Sequence, residues 1–169
     1  MLRVERQKQI PSATPEDVFT MLSDPDGLSR LLPRLRKAEL SDRGPDHARL
    51  VLFISIGSVF GTLRFEGNLH WVEPEQITLS VQNPLPATIH WSLTQADQGT
   101  DVKVTISLDL KPLLGPMVNF VPLNIVNEMI GKDLEHALRE IASQIQTDKK
   151  PYTCPLPQLC LVSQAGLAF

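Results

Sequence analysis

Ile54-Ser55-Ile56-Gly57-Ser58-Val59-Phe60-Gly61-Thr62-Leu63-Arg64-Phe65-Glu66-Gly67-Asn68 carries the pattern from which the architecture follows. Three glycines punctuate it, and apolar and polar residues alternate on either side of the turn. Upstream, Ala48, Leu50, Leu52, Ile54 and Ile56 share one phase. Downstream, Leu63, Phe65, Leu69 and Trp71 share one phase, and Arg64, Glu66, Asn68 and His70 take the other. Successive side chains of a strand point to opposite faces, so this period of two predicts a hairpin with one buried and one wet face. Gly67 falls on the apolar phase, where a glycine marks a bulge or a sharp bend. The stretch therefore builds one side of a bent antiparallel sheet with an apolar face. What covers that face decides what the chain does.

The same alternation recurs outward from the hairpin. Ile77, Leu79 and Val81 form one set, Ala87, Ile89, Trp91 and Leu93 a second, and Val102, Val104, Ile106, Leu108 and Leu110 a third. With residues 35–40, 47–56 and 60–71 this makes six strands, and residues 2–10 read as a weaker first one. The loops between the six are short and permit only hairpins, so the sheet is antiparallel. After the first strand, Thr14 can cap a helix, Pro15 suits its first position and Asp17 its third. Val18, Phe19, Met21 and Leu22 give that helix an apolar face. Asp24-Pro25-Asp26-Gly27 breaks it, and a second short helix is expected over about 27–32, before Pro33. At the other end, residues 112–121 are apolar on nearly all sides, and Pro116 and Pro122 preclude one unbroken helix. A short helix or turn should precede a long helix over 123–146. There Leu123, Val126, Ile130, Leu134, Ala137, Ile141 and Ile145 form an apolar stripe at steps of three and four. Glu128/Lys132 and Glu135/Arg139 are spaced as (i, i+4) pairs on its outer side.

The bulk numbers bound the function. The 169 residues suit one domain, 1–146, followed by a proline-containing apolar tail, 147–169. A formal charge of −3 speaks against a nucleic-acid binder, which would be strongly basic. The charge is uneven: residues 65–169 hold six Lys/Arg against eleven Asp/Glu. An early cluster, Arg30, Arg34, Arg36 and Lys37, reads as a solvated face or as a patch for an acidic partner or lipid head groups. The first ten residues are polar and charged, and no apolar run is long enough to span a membrane, so a cytoplasmic protein is expected. Cys154 and Cys160, with no second pair and no nearby histidine, are expected to be free thiols rather than metal ligands. The tail ends in Leu159-Cys160-Leu161-Val162 and Gly166-Leu167-Ala168-Phe169. It reads as loosely attached, or as a segment that touches a membrane, a partner chain or the domain's own opening.

A strand, two short helices, six antiparallel strands and a long helix make a sheet that grips one helix. A bent sheet is wider than one helix, so the expected remainder is an apolar pocket. The opening Ile10-Pro11-Ser12-Ala13-Thr14-Pro15-Glu16-Asp17-Val18-Phe19, with Leu22-Ser23-Asp24-Pro25 and Leu31-Leu32-Pro33, resembles that of the START/SRPBCC superfamily. The hairpin Ile56 to Gly67 and the later Leu114-Gly115-Pro116 are similar to its branch named for the G subunit of carbon monoxide dehydrogenase. The resemblance covers about residues 1–146. It implies an α+β helix-grip fold, with about seven strands wrapped around the C-terminal helix. It implies a function among lipid carriers, quinone binders, cyclases and hormone receptors, since one fold hosts all of these.

The residues themselves point to holding rather than transforming a ligand. His70 and His90 lie on polar phases, His136 aligns with Lys132 and Glu140 on the outer side of the helix, and His47 stands beside a turn. No carboxylate pair falls on an apolar phase, and no nucleophile–base arrangement can be read. The expected ligand contacts are Leu63, Phe65, Leu69, Trp71, Trp91 and Ile106 from the strands. Met117, Phe120 and Met129 would form a soft gate, and Asn127, read on the inner stripe of the long helix, would anchor a polar group. The expectation is an apolar small-molecule partner (a lipid, isoprenoid or quinone), with no metal, no cofactor and no nucleic acid. Two alternatives stand beside it: a polyketide cyclase or dehydratase, and an accessory module with a collapsed pocket. Oligomeric state and peripheral membrane contact are left open.

Overall fold

A computed structural model describes residues 1–148, except for the side chains of Val59 and Phe60. The expectations for Cys154, Cys160 and the tail from residue 149 onward lie outside the described residues. The elements are β1 (Leu2–Pro11), α1 (Pro15–Ser23), α2 (Pro25–Leu31), β2 (Leu35–Ser41), β3 (His47–Ser55), α3 (Gly57–Phe60), β4 (Thr62–Val72), β5 (Gln76–Asn83), β6 (Ala87–Ala96), β7 (Gly99–Leu108), α4 (Lys111–Leu114), a 3-10 turn (Gly115–Phe120) and α5 (Leu123–Asp148). The strands form one seven-stranded sheet in the order β1-β7-β6-β5-β4-β3-β2, and every neighbouring pair is antiparallel.

The hairpin holds the expected two strands, with a surprise at its tip. Ser55 pairs with Thr62, and between them Gly57–Phe60 winds a single helical turn. Gly57 and Gly61 flank that turn at φ +82° and +64°, a region that residues with a Cβ avoid. Ile56 N–H donates to the Gly61 carbonyl at 2.8 Å and closes the loop. Gly67 serves differently. The register between β4 and β5 shifts at Glu66/Gly67, and a Cβ at Gly67 would collide with the Ser80 carbonyl oxygen. The bulge bends the sheet by letting two backbones touch.

The helices start where side chains cap them. Thr14 Oγ1 accepts from Asp17 N–H at 3.2 Å, while Asp17 Oδ2 accepts from Thr14 N–H at 3.0 Å, a complete capping box. The second helix begins two residues earlier than its sequence pattern indicates. Asp24 caps it by accepting from the N–H groups of Asp26 and Gly27, and Pro25 takes the first helical position. The four residues that break the first helix are therefore also a start signal.

The core sits between the inner face of the sheet and the C-terminal half of α5. Leu134, Ala137, Leu138, Ile141 and Ile145 are buried there against Val4, Ile10, Val102 and Val104. The N-terminal half of α5 is different. Leu123 is 46% exposed, and Val126 and Ile130 are only half-buried. Of the outer pairs read from spacing, Glu135 turns away from Arg139. Its Oε1 accepts from Arg6 Nε of β1 at 2.8 Å, and the guanidinium lies over Gly131. This contact ties the edge strand to the helix. No helix among the described residues is long and apolar enough to cross a membrane.

Candidate functional site

A cavity of about 240 Å³ lies between the sheet and the first turns of α5. Ile54, Phe65, Ile89, Ile106 and Leu108 form the sheet wall. Val126, Met129, Ile130 and Leu134 of α5 form the roof, and Leu110 and Leu113 close one side. Leu32, Pro33, Arg34 and Leu35, between α2 and β2, close another. The wall is apolar almost throughout, as the period-two phases of β3, β4, β6 and β7 require.

Its polar groups are few. Arg34 Nε donates to Asp133 Oδ2 at 2.6 Å, and both side chains border the cavity half-buried. Ser55 borders it as well, and its backbone N–H donates to the Arg34 carbonyl at 2.8 Å, which fixes the end of β3 against the lip. In the sequence Arg34 is legible only as part of a basic cluster, and Asp133 not at all. The two are 99 residues apart in sequence, and no local pattern pairs them.

The expected contacts divide in space. Phe65, Ile106 and Met129 line the cavity. Trp91 is buried in the core and does not line it. Leu63 is half-buried, also outside the lining. Leu69 and Trp71 border a separate small cleft near the β2–β3 turn, with Arg43, Leu40 and Ile77. Trp71 is held there: its Nε1–H donates to the Pro45 carbonyl at 3.1 Å, and the Arg43 guanidinium stacks 5.9 Å from its ring. Six steps along the strand, at about 3.3 Å each, separate it from Phe65. Met117 and Phe120 are 67% and 85% exposed and do not line the cavity. Asn127 is also exposed. The stripe reads it inward, but α5 is uncovered over its first turns, and the inner position there passes to Val126, Met129 and Ile130.

A second, larger hollow of about 660 Å³ lies on the opposite, wet face, bordered by His47, Arg49, Arg64, Glu66, Asn68 and His70. Its charges answer one another. Arg49 and Arg64 both pair with Glu66, and Asp46 Oδ1 bonds His47 Nδ1 at 2.8 Å. The hydrogen bond from Arg64, helped by the charge of Arg49, holds the Glu66 carboxyl below its usual range, and the bond from His47 does the same for Asp46. His90 bonds Thr78 Oγ1 at 2.8 Å, and His136 is half-buried on α5. None of the four histidines borders the apolar cavity. Among the described residues no group of three or more His, Cys, Asp or Glu converges as a metal site.

The profile of the polyketide cyclase/dehydrase and lipid transport family matches residues 1–146. The chain belongs to this family. Solved structures with the same fold include TTHA0849 from Thermus thermophilus. It is 18% identical at a TM-score of 0.71 and covers 88% of this chain and 99% of its own. A START superfamily protein from Mycobacterium smegmatis is 17% identical at a TM-score of 0.65, over 86% of this chain and 97% of its own. The di-domain ARO/CYC protein StfQ of the steffimycin biosynthetic pathway is 15% identical at a TM-score of 0.65, over 83% of this chain and 49% of its own. The comparison with curated proteins yields no match. At these identities the structures establish the helix-grip fold of this polyketide cyclase/lipid transport family member and nothing finer.

Proposed function

We propose that the chain binds an apolar small molecule with one polar end in the 240 Å³ cavity, and holds it without transforming it. The observation that carries this reading is an almost wholly apolar wall with the Arg34–Asp133 ion pair at its edge. An apolar cavity of about 150 Å³ stays dry and takes up a benzene ring. The larger one here has room for a substituted ring or a short stretch of aliphatic chain. Burial of that surface drives binding at about 25 cal/mol per Å². Phe65, Ile106 and Met129 supply contact. Arg34 takes the orienting role that the sequence pattern gives to Asn127, because a guanidinium bonded through Nε keeps N–H groups for a ligand oxygen. Its charge is answered by Asp133, so a neutral acceptor such as a carbonyl suits the edge better than a carboxylate. A lipid, isoprenoid or quinone meets this description. The hairpin wording and Leu114-Gly115-Pro116 support a place near the branch named for the G subunit of carbon monoxide dehydrogenase.

Native mass spectrometry and solvent extraction of the purified protein test the reading. The expected result is a retained or readily loaded apolar ligand at one per chain. A protein that neither retains nor takes up any apolar molecule contradicts it.

One observation favours a second reading, a cyclase or dehydratase. That chemistry needs an ionisable side chain at the cavity wall, and Arg34 and Asp133 are there. Turnover of a polyketide-like substrate that is lost in Asp133→Asn, with binding kept, would select it.

A further inference from the structure

Among the described residues, five of the six exposed large hydrophobic side chains gather at one end of the molecule. Met117 is 67% exposed, Phe120 85%, Leu123 46% and Ile125 59%, all between the 3-10 turn and the first turn of α5. Met1, 90% exposed, joins them across a groove it shares with Val118, Val121 and Leu123. Leu113 and Val126 line the ligand cavity, and these four residues from Met117 to Ile125 lie between them in the chain. The segment is therefore an excursion from the cavity wall into solvent. Residues 112–127, sixteen in a row, carry no charge. The opposite lip is basic: Leu32–Leu35 of the cavity edge are flanked by Arg30 and Arg36, neither of which takes part in an ion pair among the described residues. Lys111 stands at the foot of the apolar excursion.

From this arrangement we infer a membrane-docking surface for an anionic phospholipid bilayer, with Met117, Phe120, Leu123 and Ile125 entering the interface and Arg30, Arg36 and Lys111 meeting the head groups. An uncharged apolar ridge enters the boundary of head groups and acyl chains without having to strip water from a charge. Each basic residue beside an anionic surface adds about 1 kcal/mol of attraction, or about fivefold in partitioning. A second copy fits this surface less well. In a symmetric pair the ridge of one copy, uncharged over residues 112–127, would bring only Asp109 and Glu128 at its two ends to answer the basic residues of the other. The docking inference stands apart from the ligand reading, since it needs no occupant in the cavity. If both hold, insertion would turn the cavity edge toward lipid rather than water.

Flotation of the full chain with vesicles tests it. Vesicles of phosphatidylcholine alone are compared with vesicles that also contain phosphatidylglycerol. The variants are Met117→Ser with Phe120→Ser, Arg30→Gln with Arg36→Gln, and Val72→Ser as an exposed apolar control on β4. The wild type should float with the anionic vesicles and release in high salt. Loss of the two apolar tips should lower partitioning by about tenfold or more, and loss of each arginine by about fivefold. The control should not change. All these side chains lie at the surface, so circular dichroism and melting should stay as in the wild type. Absence of wild-type binding, equal binding to neutral vesicles, or full binding by the Met117/Phe120 variant overturns the inference. A wild-type dimer in solution that the same variant dissociates also overturns it, by naming a second copy as the occupant.

Discussion

Gly67 shows how one missing side chain shapes the sheet. Its Cα lies against the Ser80 carbonyl where β4 bulges, so Gly67→Ala must push two backbones apart. The expected cost is about 1–3 kcal/mol, read as a lower urea midpoint. Thr14→Ala removes one arm of the capping box and should cost about 1 kcal/mol by the same measurement. Arg34 and Asp133 are both partly exposed, so solvent weakens their attraction. A double-mutant cycle should give a coupling of about 1 kcal/mol. Arg34→Met should weaken a carbonyl-bearing ligand by about tenfold and a plain hydrocarbon hardly at all, since one hydrogen bond separates the two. The outer face adds a dependence on acid. Glu66 has a lowered folded pKa against its ordinary value of 4.5. Its contribution is thus fully present above that value and is lost as pH falls through the lowered one. The urea midpoint should drop on acidification below pH 4.5, and Glu66→Gln should flatten part of that drop. The side chain is partly exposed, so solvent screening keeps the effect small.

At the scale of elements, the strands were legible and the seat of the last helix was not. A strand's phases state which side chains share a face, and every cavity residue on β4, β6 and β7 falls on the phase read for it. A helix stripe states a face as well, but not how much of its length is covered. The stripe over 123–146 is buried from Leu134 onward and half-open before it. That is why Asn127 reads inward and stands outward. Glu135 reads as the partner of Arg139 and instead reaches Arg6, 129 residues away, because a contact between elements overrides spacing within one. The α4–α5 connection packs mainly on itself, with few neighbours elsewhere. Segments with little buried contact open easily. Amides of residues 111–122 should exchange with deuterium well before those of the buried half of α5, and an apolar ligand in the cavity should slow them.

At the scale of the whole molecule, the fold has a packed part and an open part. The C-terminal half of α5 shares the buried core with β1 and β7, and the cavity lies under its N-terminal half. With the proposed site in the cavity, stability and binding fall in different regions, and a ligand should add to the stability of the core. A ligand at a hundred times its dissociation constant adds about 2.7 kcal/mol, which for a chain of this length raises the melting temperature by about 5–10 °C. The cavity under α5 is the proposed binding site. Titration of an environment-sensitive apolar dye into the wild type and into Ile106→Trp tests it most directly, because the indole fills the space that Ile106 borders. Saturable one-to-one binding is expected of the wild type, and little or none of the folded Ile106→Trp variant. Equal binding by both would place the ligand elsewhere and contradict it.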